Sequence, residues 1–199
     1  MLNTTMRVRS VAMLVLPLLL AFSPAGRNLL KNGDFEKFKG SEPEGWETTN
    51  IPKALTVVSP STKVHGGKTA VRCEVKDFFG SKMAGMVTQK EVDIAGKTLQ
   101  MNGYYVLNSV GNDAGFVAFD FQNAEGNTVK LFEENLNQPT GEFKVFSFTV
   151  PVPSGAEHLC VRCTVLPGKG SEKLHQGSYI LFDDLQLTAL QEGGEKIIP

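Results

Sequence analysis

Apolar and polar residues alternate with a period of two along much of the chain. In Thr69-Ala70-Val71-Arg72-Cys73-Glu74-Val75, Val71, Cys73 and Val75 share one side while Arg72 and Glu74 take the other. From Leu99 to Leu107, Leu99, Met101, Gly103, Tyr105 and Leu107 oppose Gln100, Asn102, Tyr104 and Val106. Val117, Phe119 and Phe121 oppose Ala118, Asp120 and Gln122, and Phe146, Phe148 and Val150 repeat the pattern within 143–150. This period belongs to strands with one face on a core and one toward water. Shorter β-rich runs stand at 55–58, 87–92, 157–165 and 179–187. Between them lie turn and breaker clusters such as Ser59-Pro60-Ser61, Asn123-Ala124-Glu125-Gly126-Asn127 and Pro151-Val152-Pro153-Ser154-Gly155. No segment after residue 25 keeps a helical period. The pattern predicts an all-β fold, a two-sheet antiparallel β-sandwich.

The N-terminus follows other rules. Arg7 and Arg9 precede an apolar run from Val11 to Phe22, and Ser23-Pro24-Ala25 places small residues before Gly26. That is the anatomy of a cleaved secretory signal. The run contains Pro17 and falls short of the roughly 20 apolar residues a spanning helix needs. The expected organisation is a signal peptide at 1–25, one β-sandwich domain at 26–190 and a polar, fraying tail at 191–199. The protein is expected to be secreted, or periplasmic and held at the cell envelope, with no membrane span after cleavage.

Charge narrows the partners. Twenty Lys and Arg stand against 21 Asp and Glu, a formal net of −1, and losing Arg7 and Arg9 makes the balance only slightly more acidic. Such a balance leaves no footprint for nucleic acid and points to a neutral or weakly charged partner. The 13 phenylalanines fall mostly on inward positions, so they describe packing more than a binding platform.

Three cysteines in an exported chain raise the possibility of a disulfide. Cys160 and Cys163 lie three apart in a strand, on opposite faces and roughly 10 Å apart. A disulfide tolerates about 7 Å between α-carbons, so that pair should not close. Cys73 and Cys163 both sit among inward valines and could bridge or pack as small hydrophobes. A zinc site from His158, Cys160, Cys163 and His175 is possible by residue type, but the strand splits its ligands between faces.

Asn28-Leu29-Leu30-Lys31-Asn32-Gly33-Asp34-Phe35-Glu36 with Gly45-Trp46 opens the domain, and Leu181-Phe182-Asp183-Asp184-Leu185 closes it. Together with Val64-His65-Gly66-Gly67-Lys68-Thr69-Ala70-Val71-Arg72 and the stretch from Phe143 to Gly155, these segments resemble carbohydrate-binding modules. The resemblance is to the cellulose- and xylan-binding, galactose-binding-like jelly-roll type, and it spans essentially all of 26–190. It departs at Gly67, where serine is usual, and at Phe143, where Trp or Tyr often stands.

The resemblance implies a jelly roll with a structural calcium where the first and last strands meet. Glu36 and Asp183 would supply carboxylate oxygens, carbonyls near His65 and Lys68 would add to the shell, and Asp34 is a further candidate. Calcium takes six to eight hard oxygens, which such a set can provide. Period two also places Asp183 on the face of Leu185 and Leu187, where an unpaired carboxylate is costly. Trp46 is expected to pack rather than to stack on a sugar.

The resemblance also implies sugar binding on a concave sheet or at rim loops. The outward candidates are Arg72, Asn102, Tyr104, Asp120, Gln122 and Arg162, provided that their strands share a sheet; Glu74 and Lys144 point the same way. Ordinary solvated sheet faces look similar. The apolar stretch at Phe78-Phe79-Gly80 and Met83 to Met86 is expected to be a loop that packs over one end or meets a partner.

Catalysis finds little support. No Gly-x-Ser-x-Gly, His-Glu-x-x-His or phosphate-binding glycine loop is present. Asp183-Asp184 and Glu133-Glu134 are adjacent, whereas glycosidase carboxylates face each other across a cleft. The expected function is non-catalytic binding of a polysaccharide or other glycan. The alternatives are a structural or protein-interaction domain with an envelope protein as partner, and a small polysaccharide-active enzyme.

Overall fold

Where apolar residues alternate, the chain runs as strands. The computed structural model describes residues 26–190, so the expected leader and tail lie outside the described residues. The strands are β1 (Phe38–Lys39), β2 (Glu42–Pro43), β3 (Glu47–Thr48), β4 (Val58–Ser61), β5 (Ala70–Phe78), β6 (Ser81–Ala84) and β7 (Met86–Val92). They continue as β8 (Thr98–Asn108), β9 (Ala114–Gln122), β10 (Thr128–Leu136), β11 (Lys144–Pro151), β12 (His158–Leu166) and β13 (Tyr179–Ala189). One sheet runs β10-β9-β12-β7-β3; the other runs β11-β8-β13-β5-β4, with β6 added to β5. β1 and β2 form a separate small ribbon. All pairings are antiparallel, as the sandwich reading requires. Among the described residues no helix is long and apolar enough to cross a membrane.

The two inward faces meet in one core. Met101, Leu107, Phe119, Phe121, Leu159, Ile180, Phe182 and Leu187 are essentially without exposure there. Each such side chain contributes about 1.5–3 kcal/mol of burial. Gly103 faces inward because a Cβ would fall 2.5 Å from Leu185 Cδ2 and 2.9 Å from the Phe146 ring. Trp46 packs as expected: it is buried, 5.3 Å from the Phe35 ring, and its Nε1 donates to Lys31 O at 3.0 Å.

Four features correct the expectations, add to them or decide between them. Residues 128–136, which showed no clear alternation, form the edge strand β10, nearly all of it exposed. The stretch 78–86 is a β5–β6 hairpin leading into β7 rather than a loop. Cys73 and Cys163 do not bridge; both are free and buried, with Cys73 Sγ 3.9 Å from Cys163 O. Burial pushes the Cys73 thiol up to about 12 and the Cys163 thiol well above its ordinary value, so neither offers a thiolate.

The fourth feature is the opening segment, which meets the last strand without being a strand itself. Residues 28–36 are turn-rich, and their side chains do the pairing. Asn28 Oδ1 accepts from Leu187 N (2.9 Å) and Asn28 Nδ2 donates to Leu185 O (2.9 Å), as an opposing strand's backbone would. Leu29 N donates to Leu187 O and Leu185 N to Gly33 O, both at 2.8 Å. On the other side Gln89 of β7 accepts from Lys31 N at 2.8 Å and donates to Lys31 O at 2.9 Å. The segment therefore ties both sheets together at one end of the sandwich.

Candidate functional site

The acids at this seam are held by the loop from Val64 to Thr69. Glu36 Oε1 accepts from Lys68 N (2.7 Å) and Thr69 N (2.9 Å), while Thr69 Oγ1 donates to Phe35 O at 2.6 Å. The amides of Thr69 and Lys68 hold the Glu36 carboxyl below its ordinary value. Asp183 Oδ2 accepts from His65 N (2.7 Å) and Gly66 N (3.2 Å), and Oδ1 from Asp184 N (2.8 Å). Gly67, at φ +62, turns the loop between the two acids; a Cβ there would fall 2.2 Å from Glu36 Oε1.

Asp183 does not share the face of Leu185 and Leu187. A β-bulge between Asp183 and Gln186, with Asp184 at φ +48, shifts the alternation by one residue. Leu185 and Leu187 enter the core, while Asp183 pairs with Tyr104 on the outer side and is buried there beneath the loop. Burial raises its pKa, opposed by the amides of Gly66 and His65. No ammonium or guanidinium pairs with it among the described residues. The neighbouring acid behaves differently: Asp184 Oδ2 lies 2.7 Å from His65 Nδ1.

The same geometry tests the implied calcium. Among the described residues no three His, Cys, Asp or Glu side chains converge as a metal-ligating group, which also leaves no zinc cluster. A buried carboxylate without a cationic partner, a second carboxylate held by the same loop and an all-oxygen donor set fit a hard divalent ion. Any such ion would draw its remaining ligands from backbone oxygens. At His65 and Lys68 the backbone turns N–H groups toward the acids, and Asp34 is exposed.

The six residues expected in one cleft divide between the two sheets. Arg72, Asn102 and Tyr104 lie on β5 and β8; Asp120, Gln122 and Arg162 lie on β9 and β12, on the outward side of the opposite sheet. Period two assigns a face within a sheet but not the sheet, so a single cleft through all six does not form. Two members of the first group are also engaged within the chain. His65 stacks on Tyr104 at 3.4 Å and 12°, and Arg72 lies 3.6 Å over the Tyr179 ring and 3.2 Å from Glu74.

The second group forms a built network. Asp120, with a side chain 6% exposed, accepts from Arg162 Nη2 (3.0 Å), Gln122 Nε2 (2.8 Å) and Thr128 Oγ1 (2.7 Å). Burial alone would raise its pKa, but Thr128, Gln122 and Arg162 outweigh it and the carboxyl stays below its ordinary value. Glu47 Oε2 and Lys90 Nζ, which the sequence did not single out, pair at 2.8 Å on the adjoining strands. The Glu47–Lys90 pair on β3 and β7 and the Arg162–Asp120–Thr128 group on β12, β9 and β10 thus form a polar band that crosses the five strands obliquely. Rings are scarce along it: Phe116 is half-buried and His158 stands at the end near Gln122.

Comparison with family models finds none that matches, and comparison with curated proteins finds no match either. Solved structures do match. The chain is similar to the enzymatically active domain of bacteriophage CBA120 tailspike protein 4, with 18% identity, 81% of this chain, 21% of that one and TM-score 0.59. It thus spans about a fifth of the tailspike chain. It is also similar to a family 16 carbohydrate-binding module (15% identity, 81% of this chain, 99% of that one, TM-score 0.53). A third likeness is to the CBM22-2 xylan-binding domain of Paenibacillus barcinonensis Xyn10C (13% identity, 75% and 94% coverage, TM-score 0.52). These likenesses show the fold, a jelly-roll β-sandwich.

Proposed function

We propose that the protein binds a glycan without cleaving it, along the outward face of the five-stranded sheet. The observation that carries this reading is the hydrogen-bonded polar group of Arg162, Asp120, Gln122 and Thr128. Arg162 and Lys90 keep side chains 35% and 59% exposed, so donors already oriented by acid partners remain open to hydroxyl groups. A charge-assisted hydrogen bond gains most when its donor is held in place beforehand. Structural neighbours named as carbohydrate-binding modules support the same direction. Asp120, Glu36 and Asp183 each accept internal hydrogen bonds that fix them in place, unlike a carboxyl pair poised across a substrate cleft.

In this reading the protein is exported, and Glu36 and Asp183 hold a structural Ca2+ with backbone carbonyls near His65 and Lys68, Asp34 being a further candidate. The ion would supply positive charge to a buried acid that lacks it.

Arg162→Ala should weaken binding to a retained polysaccharide by roughly 10- to 100-fold, the loss of a hydrogen bond from a charged donor of about 1.5–3 kcal/mol. The variant should stay folded, because Asp120 keeps Thr128 and Gln122. Affinity electrophoresis with circular dichroism on the same samples reads both quantities; binding equal to wild type would remove the sheet face as the site. A second reading, contact with an envelope protein, is favoured by the exposed margin where β10 carries Val129 and Leu131 and β11 carries Val145. Silence on every polysaccharide, with a protein captured through that margin, would select it.

A further inference from the structure

Phe79 is 93% exposed, alone at the tip of the β5–β6 hairpin. The last pair of that hairpin is Phe78 with Ser81, so Phe79 and Gly80 make a two-residue turn. Their φ values are +52 and +84, as a type I′ turn requires. Asn-Gly fills such a turn with little strain, whereas a bulky side chain at positive φ is disfavoured. The sequence therefore accepts backbone strain and a solvated aromatic ring at one residue, and folding gains from neither.

The surroundings restrict what that ring can meet. Its aromatic contact is with Phe78, at 4.6 Å and 66°, an edge-to-face arrangement. The cations of β5 and β6 are paired among the described residues: Lys82 with Asp77 across the hairpin, and Lys76 and Arg72 with Glu74. A paired, nearly neutral collar suits a neutral occupant better than an anionic one. A flat ring standing free suits an occupant with a flat apolar face, which a pyranose presents along its C–H groups. The polar band on the sheet lacks such a plate.

Resting on the carbohydrate reading, we infer that Phe79 is a stacking plate for a sugar ring of the glycan, a second contact beyond the sheet face. The turn geometry allows a clean test, since Phe79→Asn restores the preferred I′ residue. Melting temperature should rise by about 2–4 °C, so any loss of binding cannot be a loss of folding.

The experiment is a set of depletion isotherms on a panel of insoluble polysaccharides that includes xylan and amorphous cellulose, with neutral phosphatidylcholine vesicles as a second probe. On the polysaccharide that wild type binds, Phe79→Asn should weaken binding roughly ten-fold. Phe79→Leu, apolar but not flat, should weaken it as much, and Phe79→Trp should bind at least as well as wild type. If Phe79→Asn binds normally while Arg162→Ala does not, the plate is wrong and the sheet face stands. If Phe79→Leu binds as wild type does, flatness is irrelevant and the stacking assignment fails. A wild type silent on the whole panel removes the carbohydrate reading beneath the inference, and vesicle binding kept by Phe79→Leu would then reassign the tip to a lipid surface.

Discussion

Gly33→Ala should destabilise the protein by about 3–5 kcal/mol, lowering the melting temperature by about 10 °C. A Cβ at this position would lie 2.2 Å from Leu185 O and 3.2 Å from Asn28 Nδ2. The first of these is backbone of the last strand, which cannot swing aside as a side chain can. The opening segment must then retreat, and it carries the four hydrogen bonds that Asn28, Leu29 and Gly33 share with β13. Each contributes about 1 kcal/mol, and fully buried Phe35 moves with them. Gly141→Ala is the control: nothing lies within 4 Å of its Cβ, and the change should stay within about 0.5 kcal/mol. Urea unfolding of both variants decides the matter. A Gly33→Ala midpoint equal to wild type would mean that the segment does not dock as described.

Chelation is the second large effect. If Ca2+ is held by Glu36 and Asp183, a hundred-fold excess over Kd stabilises the fold by about 2.7 kcal/mol. EDTA should then lower the melting temperature by about 5–10 °C, and Asp183→Asn should melt alike with and without chelator. The pH dependence has a definite sign. In the metal-free chain Asp183 titrates above 3.8, so the folded state binds the extra proton and this group's contribution to stability falls as pH rises through that window. A bound cation favours the charged carboxylate. Its stabilisation should therefore be full above the window and shrink as acid is added. Identical melts in calcium and in EDTA at neutral pH would mean that the loop amides alone hold these acids.

Much of the core was legible because alternation reports burial directly. Phe119, Phe121, Met101 and Leu107 are where period two puts them. β10 was missed for the complementary reason: an edge strand exposed on both sides has no apolar stripe to show. The bulge at Asp184 broke the parity that placed Asp183, and nothing in Phe-Asp-Asp-Leu announces a left-handed residue. Phe79-Gly80 hid its hairpin similarly, since the turn lacks the Asn or Asp that usually marks one.

The candidate site was half legible. Alternation correctly turned Tyr104 and Asp120 outward, but strand order decides which sheet each belongs to. Strand order is a property of long-range pairing, which a single sequence does not display. Glu47 and Lys90 went unnoticed for that reason too, because their place in the band exists only once β3 and β7 lie beside β12.

Amide chemical-shift mapping during titration with an oligosaccharide of the polysaccharide retained tests the sheet-face assignment most directly. Shifts should concentrate in Thr88–Lys90, Ala118–Gln122 and Cys160–Arg162, with Thr128 beside them and Arg72, Asn102 and Tyr104 still. Shifts confined to Arg72, Asn102 and Tyr104, on the opposite sheet, would contradict the assignment.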